Sequence, residues 1–224
     1  MGLLDKWYNR EPKKIIEKTT PGRKGMELFF YVFWHQFWEI CKLNMIFILF
    51  CIPVVTIPTA LTAMHRITMY MFMDKTFYTF SDFFETFKAE WKRSSIAGSI
   101  YFSLLAVSVF GMYFYSLVIN NFVLYSIAML ICALILIAGF YLFPMLAVLD
   151  MSLKDIFKNS ILLIFIRMPY NILTLLATAM LTLLIWMFLP FSMIGLICFV
   201  FAMNGLIISF CAYGSLKKYV IKDI

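Results

Sequence analysis

Two long stretches without a charged side chain dominate the sequence, residues 94–149 and residues 168–216. A helix that crosses the hydrocarbon core of a bilayer needs about 20 apolar residues, so each stretch is long enough for two crossings. An Asn120-Asn121 pair and a Leu189-Pro190 pair lie near their middles, where both pairs favour a turn. The pattern therefore predicts two helical hairpins. Their four helices cover residues 96–119, 122–149, 170–189 and 191–213.

A third apolar run, residues 43–64, contains two prolines, Pro53 and Pro58. Prolines disturb a straight helix, so the run either crosses once with a kink or reverses between the prolines. If it reverses, all 19 Lys and Arg residues lie on one side of the membrane, as the positive-inside rule favours. We therefore expect helices over 33–52 and 59–73. This first hairpin either spans the bilayer with kinked helices or is re-entrant, and both alternatives stay open.

These elements predict an all-α, polytopic transmembrane bundle of about six hydrophobic helices in three hairpins, with both termini in the cytoplasm. Residues 1–28 would form a basic cytoplasmic arm, and residues 29–224 a single transmembrane domain. Of the residues, 63% are apolar and 14% are charged, compared with about a quarter charged in soluble domains. This composition excludes a soluble enzyme. The net charge of +7 does not indicate nucleic acid, because the basic residues flank the apolar runs.

Residues 80–93 place aromatic side chains at three- and four-residue spacing, opposite a charged face. We expect an amphipathic cytoplasmic helix that lies in the lipid headgroups or docks on a partner protein. The expected contact residues are Phe83, Phe84, Phe87, Lys88 and Trp91. The pair Phe87-Lys88 and the pair Phe157-Lys158 each precede a predicted crossing, a weak sign of an internal repeat.

The sequence contains no recognisable pattern of catalytic or metal-binding residues. It has two histidines, five isolated cysteines, no phosphate-binding loop, and no carboxylate inside the four later crossings. We therefore predict no enzymatic activity, no cofactor and no metal site.

The first hairpin supplies the candidate site. Pro53, Thr56 and Pro58 would shape its turn. Asn44, His65 and Arg66 would form a polar cluster between its two helices. Glu39 would pair with Arg66 or with Lys42. A purely structural role, in which these residues let the hairpin reverse, is the alternative.

The residues around the two prolines also carry a family resemblance. From Leu43 the chain reads Leu-Asn-Met-Ile-Phe-Ile-Leu-Phe-Cys-Ile-Pro-Val-Val-Thr-Ile-Pro-Thr-Ala-Leu-Thr-Ala, and a Phe-x-x-x-Phe-Lys motif follows at 83–88. This stretch resembles the YesL-like family of small multi-pass bacterial membrane proteins, a domain of unknown function. The family has a glycine between the residues that correspond to Ile57 and Pro58, and this chain lacks it.

The resemblance implies a multi-pass protein of the bacterial cell membrane. Genes of the family often lie beside those for sugar-importing ABC transporters and sensor kinases. It thus implies an accessory or assembly subunit of a carbohydrate ABC importer, with the bilayer, the permease and the ATPase as partners. Two other functions stay open. One is an independent small-solute facilitator or channel, lined by polar residues such as Asn44, Thr56, Asn171 and Asn204. The other is a regulator of a glycan-responsive sensor kinase.

Overall fold

The computed structural model describes residues 23–73, 75–187 and 199–219, and these form helices with short connections. The α-helices are α1 (Met26–His35), α2 (Phe37–Cys51), α3 (Ile57–Phe72), α4 (Thr79–Ala89), α5 (Trp91–Leu117), α6 (Phe122–Val148), α7 (Leu153–Ile166), α8 (Met168–Met187) and α9 (Phe201–Tyr219). A 3-10 helix, Val54–Thr56, joins α2 to α3. The all-α prediction is confirmed for this part of the chain.

Two of these helices, α5 and α6, are long and apolar enough to cross a membrane. Each has 27 residues, which corresponds to about 40 Å of helix. Helix α7 and the part of α8 up to Leu184 form a third candidate span if they are counted together. The two helices are bent by 95° where they join. Two or three apolar helices of spanning length indicate a membrane location.

Several predicted boundaries differ from the observed helices. The helix predicted over 33–52 is two helices, because the backbone leaves the helical conformation at Gln36 (φ −108°, ψ 14°). The amphipathic segment predicted over 80–93 ends as α4 at Ala89, and Trp91 already belongs to α5. Neither break carries a proline or glycine, so the residue pattern gave no sign of it.

Other predicted elements match the described helices or fall outside them. The hairpin predicted over 96–119 and 122–149 corresponds to α5 and α6, although α5 begins earlier, at Trp91. Of the predicted N-terminal arm, residues 1–22 lie outside the described part, and α1 begins at Met26. The turn predicted at Leu189-Pro190 also lies outside the described residues.

The buried apolar side chains form two clusters, and α3 and α9 contribute to both. One cluster combines α3 and α9 with α5, α6 and α7. The other combines them with α1, α2 and α4. The two helices α3 and α9 therefore hold the first helices of the chain against the later ones.

The turn end of the α5–α6 hairpin extends beyond this core. Near the start of α5 and the end of α6, side chains such as Ala97 and Leu146 are buried. Towards the turn the large apolar side chains are exposed, including Val107 (70%), Phe110 (67%) and Phe122 (80%). Asn121 starts α6, since its side-chain oxygen accepts hydrogen bonds from the backbone N–H groups of Val123 and Leu124. The exposed apolar surface is of the kind that lipid covers.

Candidate functional site

The turn between α2 and α3 is closed by the side chain of Thr56. Its hydroxyl donates to the backbone carbonyl oxygens of Phe50 and Pro53. Pro53 precedes the 3-10 helix, and Pro58 is the second residue of α3, where the N–H that proline lacks has no partner within the helix. Thr56 and the two prolines thus make a compact reversal, and we call residues 53–58 the prolyl turn.

The prolyl turn packs directly on α5. Gly98 is buried against Pro58. One turn earlier in α5, Ser94 donates its hydroxyl to Oγ1 of Thr62 at 2.9 Å, and both side chains are fully buried. Small and hydroxyl-bearing residues let two helices approach closely in an apolar environment. Helices α3 and α5 are therefore closely packed where they cross.

Asn44, His65 and Arg66, which were expected to form one polar cluster, each make a hydrogen bond to a later helix. Oδ1 of buried Asn44 accepts the backbone N–H of Ala202 at 2.8 Å, in the first turn of α9. Nδ1 of buried His65 lies 2.9 Å from Oγ of Ser209, also in α9. Arg66 extends to α6, where its Nη1 donates to the carbonyl oxygen of Ala147 at 3.1 Å. These side chains connect the first hairpin to α6 and α9.

The carbonyl groups at the end of α6 are bound by two arginines. Besides Arg66, Arg93 donates from Nη2 to the carbonyl oxygens of Leu149, at 3.4 Å, and Met151, at 2.7 Å, which directly follow the helix. Nη1 of Arg93 lies 3.1 Å from the carboxylate of Glu90, the residue between α4 and α5. Cations beside C-terminal carbonyls are favourable because the helix dipole places partial negative charge there. In α2, Glu39 pairs with Lys42, at 2.7 Å, which is one of the two pairings expected for it.

The aromatic residues of α4 divide between the interior and the surface. Phe83 is fully buried, and its ring centroid lies 5.3 Å from that of Phe50 in α2. The ring of Phe87 lies 4.9 Å from the same Phe50 ring. Phe84 (38%) and Trp91 (37%) remain exposed. Phe83 thus faces the interior, where α2 covers it, while Phe84 and Trp91 lie on the surface.

The charged face of α4 is held by local contacts. Nζ of Lys88 lies 4.2 Å from the centroid of the Phe84 ring, a cation–π contact. At the other end of the helix, the Asp82 carboxylate accepts the backbone N–H of Tyr78 at 2.8 Å. Partial burial raises the pKa of this carboxyl group. Glu39 also contacts this end of α4, since it accepts the hydroxyl of Thr79.

A second polar group, not anticipated from the sequence, surrounds the junction of α7 and α8. Nδ2 of buried Asn171 donates to the carbonyl oxygen of Ile164 at 3.0 Å, and its Oδ1 accepts the hydroxyl of Tyr141. Nε of Arg167 donates to Oγ of Ser215 at 3.0 Å. Asn171 thus satisfies a carbonyl group that the end of α7 leaves free. Across the described ranges, no three His, Cys, Asp or Glu side chains are grouped to hold a metal ion.

Residues 40–112 match the model of a family described as protein of unknown function, DUF624. The family resemblance is confirmed. The YesL-like assignment is consistent with this match. Neither a curated protein nor a solved structure matches the chain.

The DUF624 match contains the prolyl turn, the buried Phe83 and the contact between Pro58 and Gly98. It covers about a third of the 224 residues. The junction at Arg167 and all of α9 lie outside the matched segment. The DUF624 match therefore contains most of α2 and all of α3 and α4, but not the α9 residues that Asn44 and His65 bind.

Proposed function

We propose that this chain is a non-enzymatic, multi-pass protein of the bacterial cell membrane that acts as an accessory or assembly subunit of a carbohydrate ABC importer. Its partners would be the permease and ATPase subunits of that importer. The proposed topology has six hydrophobic helices in three hairpins and both termini in the cytoplasm.

In this topology the first hairpin is re-entrant. Helices α2 and α3 have 15 and 16 residues, or about 22–24 Å, which is shorter than the hydrocarbon core of about 30 Å. The prolyl turn meets α5 at Gly98, and α5 continues to Leu117, about 28 Å further. Helix α2 also runs beside the amphipathic α4, with Glu39 near one end and Phe50 near the other.

The observation that carries the proposal is the exposed apolar surface of the α5–α6 hairpin near its turn. A subunit that binds permease helices inside the bilayer needs apolar helical surface beyond its own core. Val107, Phe110 and Val123 supply it, with exposures of 64–70%. A shallow, largely apolar groove lies nearby, lined by Val109, Met112, Tyr113, Ser116, Leu117, Tyr125 and Cys132.

The polar side chains support a subunit more than a solute path. Three residues considered for lining such a path make hydrogen bonds within the chain. Asn44 bonds to Ala202, Thr56 bonds to Pro53, and Asn171 bonds to Ile164 and Tyr141. Asn204 differs, because its buried Oδ1 has no hydrogen-bond partner within the described part. That oxygen is the observation that keeps an independent facilitator as the second candidate.

The test is a tagged purification from native membranes in mild detergent, followed by mass spectrometry of the recovered proteins. We expect a permease and an ATPase in fixed proportion to the chain. Replacing Phe110 with Ala should lower their recovery about fivefold, as for a moderate interface contact. Met180→Ala is the control, since Met180 is 73% exposed and lies on a different helix, α8.

Other outcomes would contradict the proposal and indicate a different function. If the chain is recovered alone, solute flux into liposomes that contain only this chain tests the facilitator. If a sensor kinase is recovered in place of the permease, the chain acts as a regulator. If Phe110→Ala and Met180→Ala reduce recovery equally, the α5–α6 hairpin is not the binding surface.

A further inference from the structure

We propose that the junction of α7 and α8 binds the phosphate group of an anionic phospholipid. The binding residues would be Arg167, Tyr170, Lys218 and Tyr219, which we call the knee. This inference rests on a membrane location and not on the importer-subunit proposal.

The junction of α7 and α8, at which the knee lies, is a rigid bend rather than a loose connection. Arg167 alone joins α7 to α8, which lie at 95° to each other. Its backbone N–H donates to the carbonyl oxygen of Leu163, and its carbonyl oxygen accepts the N–H of Asn171. The side chain of Asn171, in α8, also donates to the carbonyl oxygen of Ile164, in α7, so hydrogen bonds connect the two helices across the bend. A guanidinium group at this position is held in one place.

The guanidinium of Arg167 is oriented by three side chains and retains free donors. Its Nε donates to Ser215, and its Cζ lies 4.5 Å from the ring centroid of Tyr170 and 5.9 Å from that of Tyr219. Arginine has five N–H donors in a planar group, which suits two parallel hydrogen bonds to a phosphate. The terminal nitrogens of Arg167 make no hydrogen bond to any described residue, so they are available to an anion.

Within the described residues, the charge at the knee is positive and unbalanced. Nζ of Lys218 lies 5.1 Å from the centroid of the Tyr219 ring, the ring that Arg167 also approaches. Among the described residues, the carboxylates that form ion pairs do so with Arg23, Lys42 and Arg93. Two cations beside one aromatic ring, without a carboxylate from the described part, are a suitable site for a phosphate.

The surroundings of the knee favour a lipid over a soluble phosphate. Helix α7 begins with exposed polar residues, such as Lys154 and Lys158, and ends with exposed apolar ones, such as Phe165 (64%). Helix α8 then exposes Tyr170 (57%) and Leu173 (65%). The cationic groups of the knee therefore lie beside exposed apolar surface, as cations do at the level of lipid headgroups. A phospholipid can place its phosphate on Arg167 and its acyl chains against Phe165 and Leu173.

The experiment measures lipid binding to the full-length chain in a nonionic detergent by native mass spectrometry. The probes are phosphatidylglycerol, phosphatidylcholine and inorganic phosphate. We expect phosphatidylglycerol to bind more tightly than phosphatidylcholine and to persist in the presence of equimolar inorganic phosphate. Arg167→Gln should weaken phosphatidylglycerol binding about fivefold, the effect of one interfacial cation, and Arg167→Lys should restore part of it.

A control variant separates a specific site from general charge. Lys154→Gln removes the same charge from the exposed start of α7 and should leave binding unchanged. If Arg167→Gln fails to fold, Lys218→Gln provides the second test and should also weaken binding.

Four results would overturn the proposal. The first is equal binding of the anionic and zwitterionic lipids. The second is displacement of phosphatidylglycerol by equimolar inorganic phosphate, which would indicate a site for soluble phosphate. The third is an equal loss of binding in Lys154→Gln and in Arg167→Gln. The fourth is unchanged binding in a folded Arg167→Gln or Lys218→Gln variant.

Discussion

Pro58 occupies the space that a side chain on Gly98 would need. A β-carbon placed on Gly98 would lie 2.2 Å from Cβ and 2.5 Å from Cγ of Pro58. Such a distance lies well inside van der Waals contact, and a proline ring at the start of a helix cannot move aside as a flexible side chain can. Gly98 therefore fixes where the prolyl turn rests on α5.

Gly98→Ala should destabilise the protein, because the added methyl group must push α3 away from α5. We expect a loss of about 1–3 kcal/mol, typical of overpacking, measured as a lower apparent Tm in mild detergent. Gly111→Ala is the matched control on the same helix, since its nearest contact would be Tyr115 at an ordinary 3.8 Å. Equal Tm values for the two variants would show that the prolyl turn does not rest on Gly98.

Phe83→Ala should cost far more stability than Phe84→Ala, although the two residues are adjacent. Phe83 is fully buried between α4 and α2, whereas Phe84 is 38% exposed. Removing a buried phenylalanine leaves a cavity and costs about 3–5 kcal/mol. Thermal unfolding of the two variants in the same detergent gives the comparison. A larger effect of Phe84→Ala would instead place the buried face of α4 on the opposite side.

Asn44→Ala should loosen the start of α9. The substitution leaves the backbone N–H of Ala202 without its side-chain acceptor, which costs about 1–3 kcal/mol for a buried donor. We expect a lower Tm together with faster hydrogen exchange at Ala202. Met45→Ala serves as control, because Met45 is 52% exposed. Unchanged exchange at Ala202 in Asn44→Ala would contradict the observed hydrogen bond.

Asn171→Ala should widen the distribution of angles between α7 and α8. The variant loses the hydrogen bonds to Ile164 and Tyr141 that hold the bend. Spin labels at Lys158 and Leu176, in a cysteine-free background, would report this as a broader distance distribution. Asn159→Ala removes an amide from α7 outside the bend and should leave the distribution narrow. A narrow distribution in Asn171→Ala would show that packing alone holds the angle.

The sequence predicted those elements whose ends have local signals. The turn between α5 and α6 follows from Asn120 and Asn121, whose amide side chains favour turns and helix starts, and α3 begins at the prolyl turn. The break at Arg167 also has a local signal, since Pro169 lies two residues later, in the first turn of α8. The breaks at Gln36 and Glu90 have no such signal, because both residue types are compatible with a helix interior. Tertiary packing decides these two breaks, so they became visible only in the structure.

The polar contacts of the site were predictable only in part. The pair Glu39 and Lys42 is three residues apart on one helix, and that spacing predicts contact. The partners of Asn44 and His65 lie 158 and 144 residues away in the chain. Helical periodicity places both residues on a buried face but cannot identify the helix that covers it. For the same reason Arg93 was not recognised as a residue that binds the end of α6.

The difference in length between the helices has a consequence for the surrounding lipid. Helices α5 and α6 have 27 residues, whereas α2 and α3 have 15 and 16. In the proposed re-entrant topology, lipids beside the two long helices meet about 40 Å of helix, whereas lipids beside α2, whose Leu49 is 60% exposed, meet little more than half that length. Helix α3 is buried among the other helices. A bilayer adapts to such hydrophobic mismatch by thickening, by thinning or by tilting the helices. The protein would thus impose a thickness gradient across its own width.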